Sequence, residues 1–185
     1  MSVRPIALTS REFRRACGSF LTGVTVVTGR AADGSPVGIT VNSFTSVSLE
    51  PPLVLVCVDQ RSTSLPAFGV GSRYAVHVLR HDQSELSSRF ATRLAGPEKL
   101  AAVPWRESAS GLPILPAFTA LFECSIVATH PAGDHAVIVG RVERVDVRDT
   151  DDPLGFYRGA YMSVARESAQ PIPEEAAELW RLGWA

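Results

Sequence analysis

Three groups of residues have the types and spacing to do chemistry. The first is a run of small hydroxyl and amide side chains, Thr40, Asn42, Ser43, Thr45, Ser46 and Ser48. It precedes Pro51, Pro52 and the longest apolar run of the chain, residues 53–58. Hydroxyls and amides beside a core strand need partners. They either cap the local backbone or hold a polar ligand against the sheet. The second group is the loop 59–64, where Arg61 is accompanied by Ser62, Thr63 and Ser64. If Thr63 or Ser64 opens a short helix over 65–68, free N–H groups and the helix dipole make this an anion site. The alternative is an ordinary solvated turn. The third group is His135, after Gly133 and Asp134 at a hairpin tip, together with Arg158 between Tyr157 and Tyr161.

What is missing narrows the chemistry. Gly69 and Gly71 begin a glycine pattern that lacks its third glycine and precedes a strand, so a dinucleotide is not bound in Rossmann fashion. There is no Walker A, GxSxG or HExxH pattern, and no obvious nucleophile or carboxylate pair. His77 and His81 fall at a strand end rather than on one helix face, and no metal site is expected. Cys17, Cys57 and Cys124 are odd in number and far apart, which fits neither a disulfide framework nor a zinc site. Cys57 and Cys124 lie in apolar runs and read as small buried hydrophobes of a reducing compartment. A formal net charge of −1 implies no basic surface, so no nucleic-acid partner is expected. The N-terminus has no apolar h-region and no apolar run reaches membrane length. With 185 residues, 45% of them hydrophobic, a cytoplasmic protein of one domain, 1–185, is expected.

The polar patch in full, Gly38-Ile39-Thr40-Val41-Asn42-Ser43-Phe44-Thr45-Ser46-Val47-Ser48 and then Pro51-Pro52-Leu53-Val54, resembles the signature of the short-chain flavin reductase family. The similarity extends to Gly23-Val24-Thr25-Val26-Val27-Thr28, Gly133-Asp134-His135 and Tyr157-Arg158-Gly159-Ala160-Tyr161, in the family's order. The resemblance implies a mainly β fold with flanking helices, an FMN-binding split β-barrel, with a core over about 10–162 and a tail over 163–185. It implies an NAD(P)H:flavin oxidoreductase that reduces FMN or FAD with NADH or NADPH, and that supplies reduced flavin to a partner monooxygenase. It also implies a homodimer. Carried over residue by residue, it assigns Thr28, Thr40, Val41, Asn42, Ser43, Ser46, Cys57 and Val58 to the flavin. Arg61, Ser62 and Ser64 go to its phosphate, and Phe90 and Ala91 lie beside it. His135 goes to the nicotinamide side as the catalytic candidate. Arg158 goes to the NADH pyrophosphate, with Tyr157 beside it as a further cofactor-binding residue; for Arg158 a surface salt bridge is the competing reading.

In such a reaction hydride passes from nicotinamide C4 to flavin N5, and the cofactors carry the hard chemistry. The protein must stack two flat rings and stabilise negative charge with fixed dipoles, which accounts for a site of Ser, Thr and Asn. Two alternatives stay open: a split-barrel protein that binds flavin without reacting with NADH, and a protein–protein module with a degenerate flavin site.

The elements that must position these residues follow from pattern. Thr9 and Glu12 form a capping box for a helix over 10–20, ended by Gly23, whose apolar Phe13, Cys17, Phe20 and Leu21 dock on the barrel. Residues 24–28 and 37–41 read as strands joined by an Asp33-Gly34 hairpin turn. Residues 53–58 read as a buried strand and 74–79 as another. Asp82 to Glu85 is a capping pattern for a helix ending near Ala91. Residues 92–117, with scattered glycine and proline, read as a mostly irregular excursion bordering the cleft or a subunit contact. Residues 121–129 and 136–147 read as a hairpin around a turn at 130–135, and 173–182 as a short terminal helix.

Overall fold

The computed structural model describes residues 8–148, 152–163 and 173–174, so most of the expected terminal helix lies outside the described residues. Helix α1 (Ser10–Cys17) starts as its capping box requires: the Thr9 hydroxyl accepts from Glu12 N–H at 3.2 Å, and the Glu12 carboxylate accepts from Thr9 N–H at 3.0 Å. It stops at Gly18, short of residue 20, and none of its residues is buried. The expected docking of its apolar face is therefore corrected. Arg11, Arg14 and Arg15 leave too narrow an apolar stripe to anchor eight residues, and Phe13 stays 57% exposed.

Strands β1 (Thr22–Gly23), β2 (Thr25–Arg30), β3 (Pro36–Val41), β4 (Thr45–Leu49) and β5 (Pro52–Asp59) come next, then β6 (Arg73–Val78). Helices α2 (Ser84–Phe90) and α3 (Gly96–Ala101) precede β7 (Arg106–Glu107), β8 (Pro113–Ile114), β9 (Ala120–Ala132), β10 (His135–Val147), β11 (Leu154–Tyr157) and β12 (Ala160–Ser163). Seven strands form one antiparallel sheet in the order β3-β2-β6-β9-β10-β5-β4, and β1, β11 and β12 form a second.

The large sheet curls. Val27 on β2, Val37 and Val41 on β3, Val54, Val56 and Val58 on β5, and Ile138 on β10 belong to one buried cluster. Residues from near both ends of the strand order can share a core only if the sheet rolls toward closure. Its end strands β3 and β4 are not paired with each other, which leaves a split barrel. β5 is buried on alternate residues rather than throughout, with Leu53, Leu55 and Cys57 half-buried on its second face.

The excursion 92–117 is more ordered than its composition suggests. It contains α3 and the β7–β8 hairpin, and it buries Leu100, Leu112, Ile114 and Leu115 as a cover for the sheet's outer face. The burial of these four drives the order, and scattered glycines and prolines conceal their spacing. Asp82 is not the cap of α2: it pairs with Arg80 at 2.6 Å, and the helix starts after Gln83 with no side-chain cap. The 3₁₀ turn Leu65–Ala67 likewise begins at Ser64 without a side-chain cap. The β9–β10 turn is tighter than expected, because β9 runs on to Ala132 and leaves Gly133 and Asp134 alone at the tip. His77 is wholly buried, with Nδ1 3.1 Å from the Val26 carbonyl and Nε2 accepting from Leu115 N–H at 3.1 Å. This joins β2, β6 and the cover and takes up both ring nitrogens. No group of three potential metal ligands is assembled among the described residues.

Candidate functional site

A single hydroxyl begins the site. β4 pairs with β5 up to Thr45 opposite Leu55, so the same register carried two residues further places Ser43 opposite Cys57. There the backbone ladder is replaced: Cys57 N–H donates to Ser43 Oγ at 2.9 Å, and the Ser43 hydroxyl donates to the Cys57 carbonyl at 3.1 Å. One side chain satisfies both backbone groups of the strand edge. The chain at 42–44 can therefore leave the sheet and cross from β4 to β3 without orphaning Cys57. A groove opens where it crosses.

The groove is a run of three adjoining cavities. The first, about 350 Å³, is walled by Thr40 of β3, Arg61, Ser62 and Thr63 of the loop after β5, and Ala91 and Lys99 beyond α2. The second, about 200 Å³, shares Thr40 and Ala91 with the first and adds Val24, Val41, Phe156 and Tyr161. The third, about 1040 Å³, shares Asn42 and Phe156 with the second and adds His135, Arg158 and the arginines of α1. Volumes of this order suit small-molecule and cofactor sites. The middle is mainly apolar and both ends are cationic: Arg61, Arg93 and Lys99 at one, Arg11, Arg14, Arg15 and Arg158 at the other. A chain of net charge −1 thus concentrates positive charge locally, which total charge cannot reveal.

The sequence-derived residues fall into distinct places. Thr40, Val41, Asn42, Arg61, Ser62, Phe90, Ala91, His135 and Arg158 wall the groove. The Thr40 hydroxyl donates to the Ser87 carbonyl at 2.7 Å, so this side chain holds β3 against α2. Phe90 reaches the groove from the core; it is fully buried, with its ring against Gly38. Ser43 and Cys57 secure the groove's edge through each other. Ser64 is buried, with its hydroxyl 3.4 Å from the Gly38 carbonyl. Thr28 is not brought to the groove; it is buried and donates to the Pro113 carbonyl at 2.6 Å. Val58 lies in the core, and Ser46 sits half-buried on the edge strand opposite Val54. Tyr157 lies beneath the Arg158 guanidinium, 5.1 Å from ring centroid to Cζ.

His135 opens β10 and pairs with Asp59, which fixes the hairpin tip against the polar loop. Gln60 N–H donates to the Asp134 carbonyl at 2.9 Å, and the Gln60 amide donates to the Gly133 carbonyl at 3.1 Å. His135 Nδ1 lies 2.7 Å from Asp134 Oδ1, and this hydrogen bond holds the Asp134 carboxyl below its ordinary range. Arg61 turns back on Asp59, with its Nη2 2.8 Å from Asp59 Oδ2. That contact holds the Asp59 carboxyl far below its ordinary range. Arg158 occupies a left-handed conformation (φ +49°) in the β11–β12 turn, and its N–H donates to the Gly18 carbonyl at 2.9 Å. This links the turn to the end of α1.

Sequence reasoning missed several residues of the groove. Tyr161 reaches the middle cavity and its hydroxyl donates to Ser87 Oγ at 2.9 Å; it belongs to the Tyr157–Tyr161 motif, where the signal was present. Arg11, Arg14 and Arg15 of α1 reach the third cavity although they belong to none of the sequence motifs. Lys99 falls in the stretch 92–117, whose scattered glycines and prolines hide α3, and it is the one lysine of the chain.

Comparison with known proteins matches the family described as flavin reductase like domain over residues 17–165. The chain is 47% identical over 158 residues to the FMN reductase (NADH) SmoA of Agrobacterium fabrum, covering 85% of this chain and 88% of that protein. It is 40% identical over 167 residues to the flavin-dependent monooxygenase reductase subunit HsaB of Rhodococcus jostii, covering 90% and 84%. Among solved structures it is similar to nitrilotriacetate monooxygenase component B from Mycobacterium thermoresistibile, at TM-score 0.81 and 38% identity over 88% of this chain and 90% of that one. It is also similar to the Streptomyces globisporus NADH:FAD oxidoreductase SgcE6 in complex with NAD and FAD fragments, at TM-score 0.79 and 33% identity over 86% and 94%.

Proposed function

The chain belongs to the flavin reductase-like family, and from that premise we propose that the groove brings flavin and reduced nicotinamide together. The protein is an NAD(P)H-dependent flavin reductase that supplies reduced flavin to a partner monooxygenase. The observation that carries the placement is a mainly apolar middle flanked by two cationic ends. A flavin with its phosphate at the Arg61–Lys99 end places its ring in the middle, and a dinucleotide then enters from the His135–Arg158 end. When bound, the two cofactors supply the hydride donor and acceptor.

The chain's own residues bind and orient. Val24, Val41 and Phe156 shape the slot for a flat ring. Asn42, whose side chain forms no hydrogen bond among the described residues, has its amide available to a ligand. Ser62 and Thr63 face the phosphate end. His135, steadied by Asp134, borders the nicotinamide and orients it. Ser43, Cys57, Ser64 and Thr40 act on the groove through the backbone they hold.

We assign residues 10–162 to one catalytic unit and place the enzyme in the cytoplasm, where NAD(P)H is made. The protein assembles as a homodimer on this reading. The support is apolar surface left open on α1 and its exit (Phe13, Phe20, Leu21) and on the edge strand β4 (Val47, Leu49). An unpaired, partly apolar edge strand invites a partner. Steady-state oxidation of NADH and NADPH against FMN, FAD and riboflavin tests the function. Flavin-dependent NAD(P)H oxidation is expected, and its absence with every flavin overturns the reading.

A further inference from the structure

Of the chain's 18 lysine and arginine side chains, only Lys99 is lysine. It is also the most deeply placed cation described, at 3% exposed. Its Nζ donates to the Phe90 carbonyl at 3.1 Å and to the Gly38 carbonyl at 3.3 Å, bridging the end of α2 to β3. Both acceptors are neutral, and Lys99 forms no ion pair among the described residues. An ammonium has three donors, so one remains, on a side chain that walls the 350 Å³ cavity. Burial without a counter-charge disfavours the charged form, and the Lys99 pKa is accordingly lowered. A cation held in this way is half of an ion pair.

The other cations at this end are worse placed for a ligand. Arg61 is 81% exposed on its side chain and is engaged by Asp59 through two hydrogen bonds. Arg93 lies on the exposed rim of the cavity. Exposed charges contribute little to binding, whereas a desolvated charge contributes more. A compact ammonium also fits between two carbonyls where a planar guanidinium does not.

We propose that Lys99 is the specificity-determining residue for phosphorylated flavin, its free N–H donating to the phosphate of FMN or the proximal phosphate of FAD. The proposal rests on the reading of the groove as the flavin site and names the cation within it. The two carbonyls it bridges directly precede the wall residues Ile39 and Ala91, so the ammonium is held at the phosphate end of the groove, away from the ring.

The test is a comparison of FMN with riboflavin, which lacks the phosphate, in the wild type, Lys99→Met and Arg61→Ala. The wild type is expected to have a KM for FMN about tenfold or more below that for riboflavin. Lys99→Met should raise the FMN value to near that of riboflavin and leave riboflavin reduction within about twofold, as expected when one charge-assisted contact is lost. Arg61→Ala should remove less of the preference, about threefold. A Lys99→Met protein that loses FMN and riboflavin equally, or neither, overturns the proposal, as does an Arg61→Ala protein that alone abolishes the preference. If Lys99→Met does not fold, the wild type decides. Inorganic phosphate should compete with FMN and leave riboflavin reduction untouched, and equal KM values for the two flavins overturn the proposal. Failure of the underlying reading looks different, because the wild type then shows no flavin-dependent NAD(P)H oxidation with FMN, FAD or riboflavin.

Discussion

At the scale of single residues, the same side-chain type serves opposite ends according to burial. His135 is half-buried at the groove mouth, whereas His77 has both ring nitrogens engaged inside the fold. His135→Ala is expected to raise the KM for NADH or lower turnover by about tenfold or more, with the KM for flavin nearly unchanged. Steady-state kinetics with each substrate varied in turn checks this; equal losses for both substrates assign His135 to hairpin structure alone. His77 bears on stability. Burial pushes its pKa down to about 4, so the folded state resists protonation while the unfolded chain accepts a proton near its ordinary value. The unfolded state then binds more protons between about pH 6.5 and 4, and stability rises with pH across that window. Lowering the pH from 7 to 5 should therefore lower the unfolding free energy by on the order of 2 kcal/mol through this group. Urea titrations at the two pH values measure it. In His77→Gln the same pH step should have a visibly smaller effect, and an undiminished one removes His77 as the source.

Between elements, Gly38 is the point where β3, α2, α3 and the polar loop meet. A Cβ there would fall within 2.6 Å of Cδ1 of the buried Phe90 ring. The Gly38 carbonyl takes hydrogen bonds from both Lys99 and Ser64. Phe90 is packed among Val24, Val26, Leu79 and Leu100 and cannot swing aside freely. Gly38→Ala should destabilise the protein by about 1–3 kcal/mol by overpacking. It should also raise the flavin KM, since β3 carries Thr40 and Val41 into the groove. A denaturant midpoint equal to that of the wild type would show that Phe90 has room to move and would sink this account of the β3–α2 contact.

For the whole molecule, the open groove bears on how long flavin stays. The middle cavity is the smallest of the three and joins larger, open ones at either end. One buried cation and a few hydroxyls supply polar contacts. That arrangement suits micromolar affinity, roughly −8 kcal/mol, and a flavin that exchanges, as an enzyme passing reduced flavin to another protein requires. Extensive dialysis should strip flavin from the purified protein, and added FMN or FAD should restore NADH oxidation. A yellow protein that keeps stoichiometric flavin through dialysis, and reduces it without release, would contradict the exchange.

Much of this protein is legible along the chain because its signals are local. The Thr9–Glu12 box, the Asp33-Gly34 turn, the apolar run of β5 and the β9–β10 hairpin each depend on residues a few positions apart, and each formed. The polar patch, the 59–64 loop, His135 and Arg158 could be named because they stand in recognisable order. Tertiary structure alone decided which of these side chains face a ligand and which hold the walls. Ser43 turns to Cys57, Thr40 to Ser87 and Thr28 to Pro113 because the curled sheet, α2 and the β7–β8 hairpin bring backbone groups distant in sequence to each hydroxyl, and a buried polar group takes the nearest partner. The α1 stripe failed to dock for a related reason: amphipathic spacing states which face is apolar but not whether a surface waits to receive it. Lys99 is the clearest case. Nothing at positions 92–117 marks it as different from a solvated lysine, and only the approach of Gly38, 61 residues away, makes it a buried charge at the end of the groove.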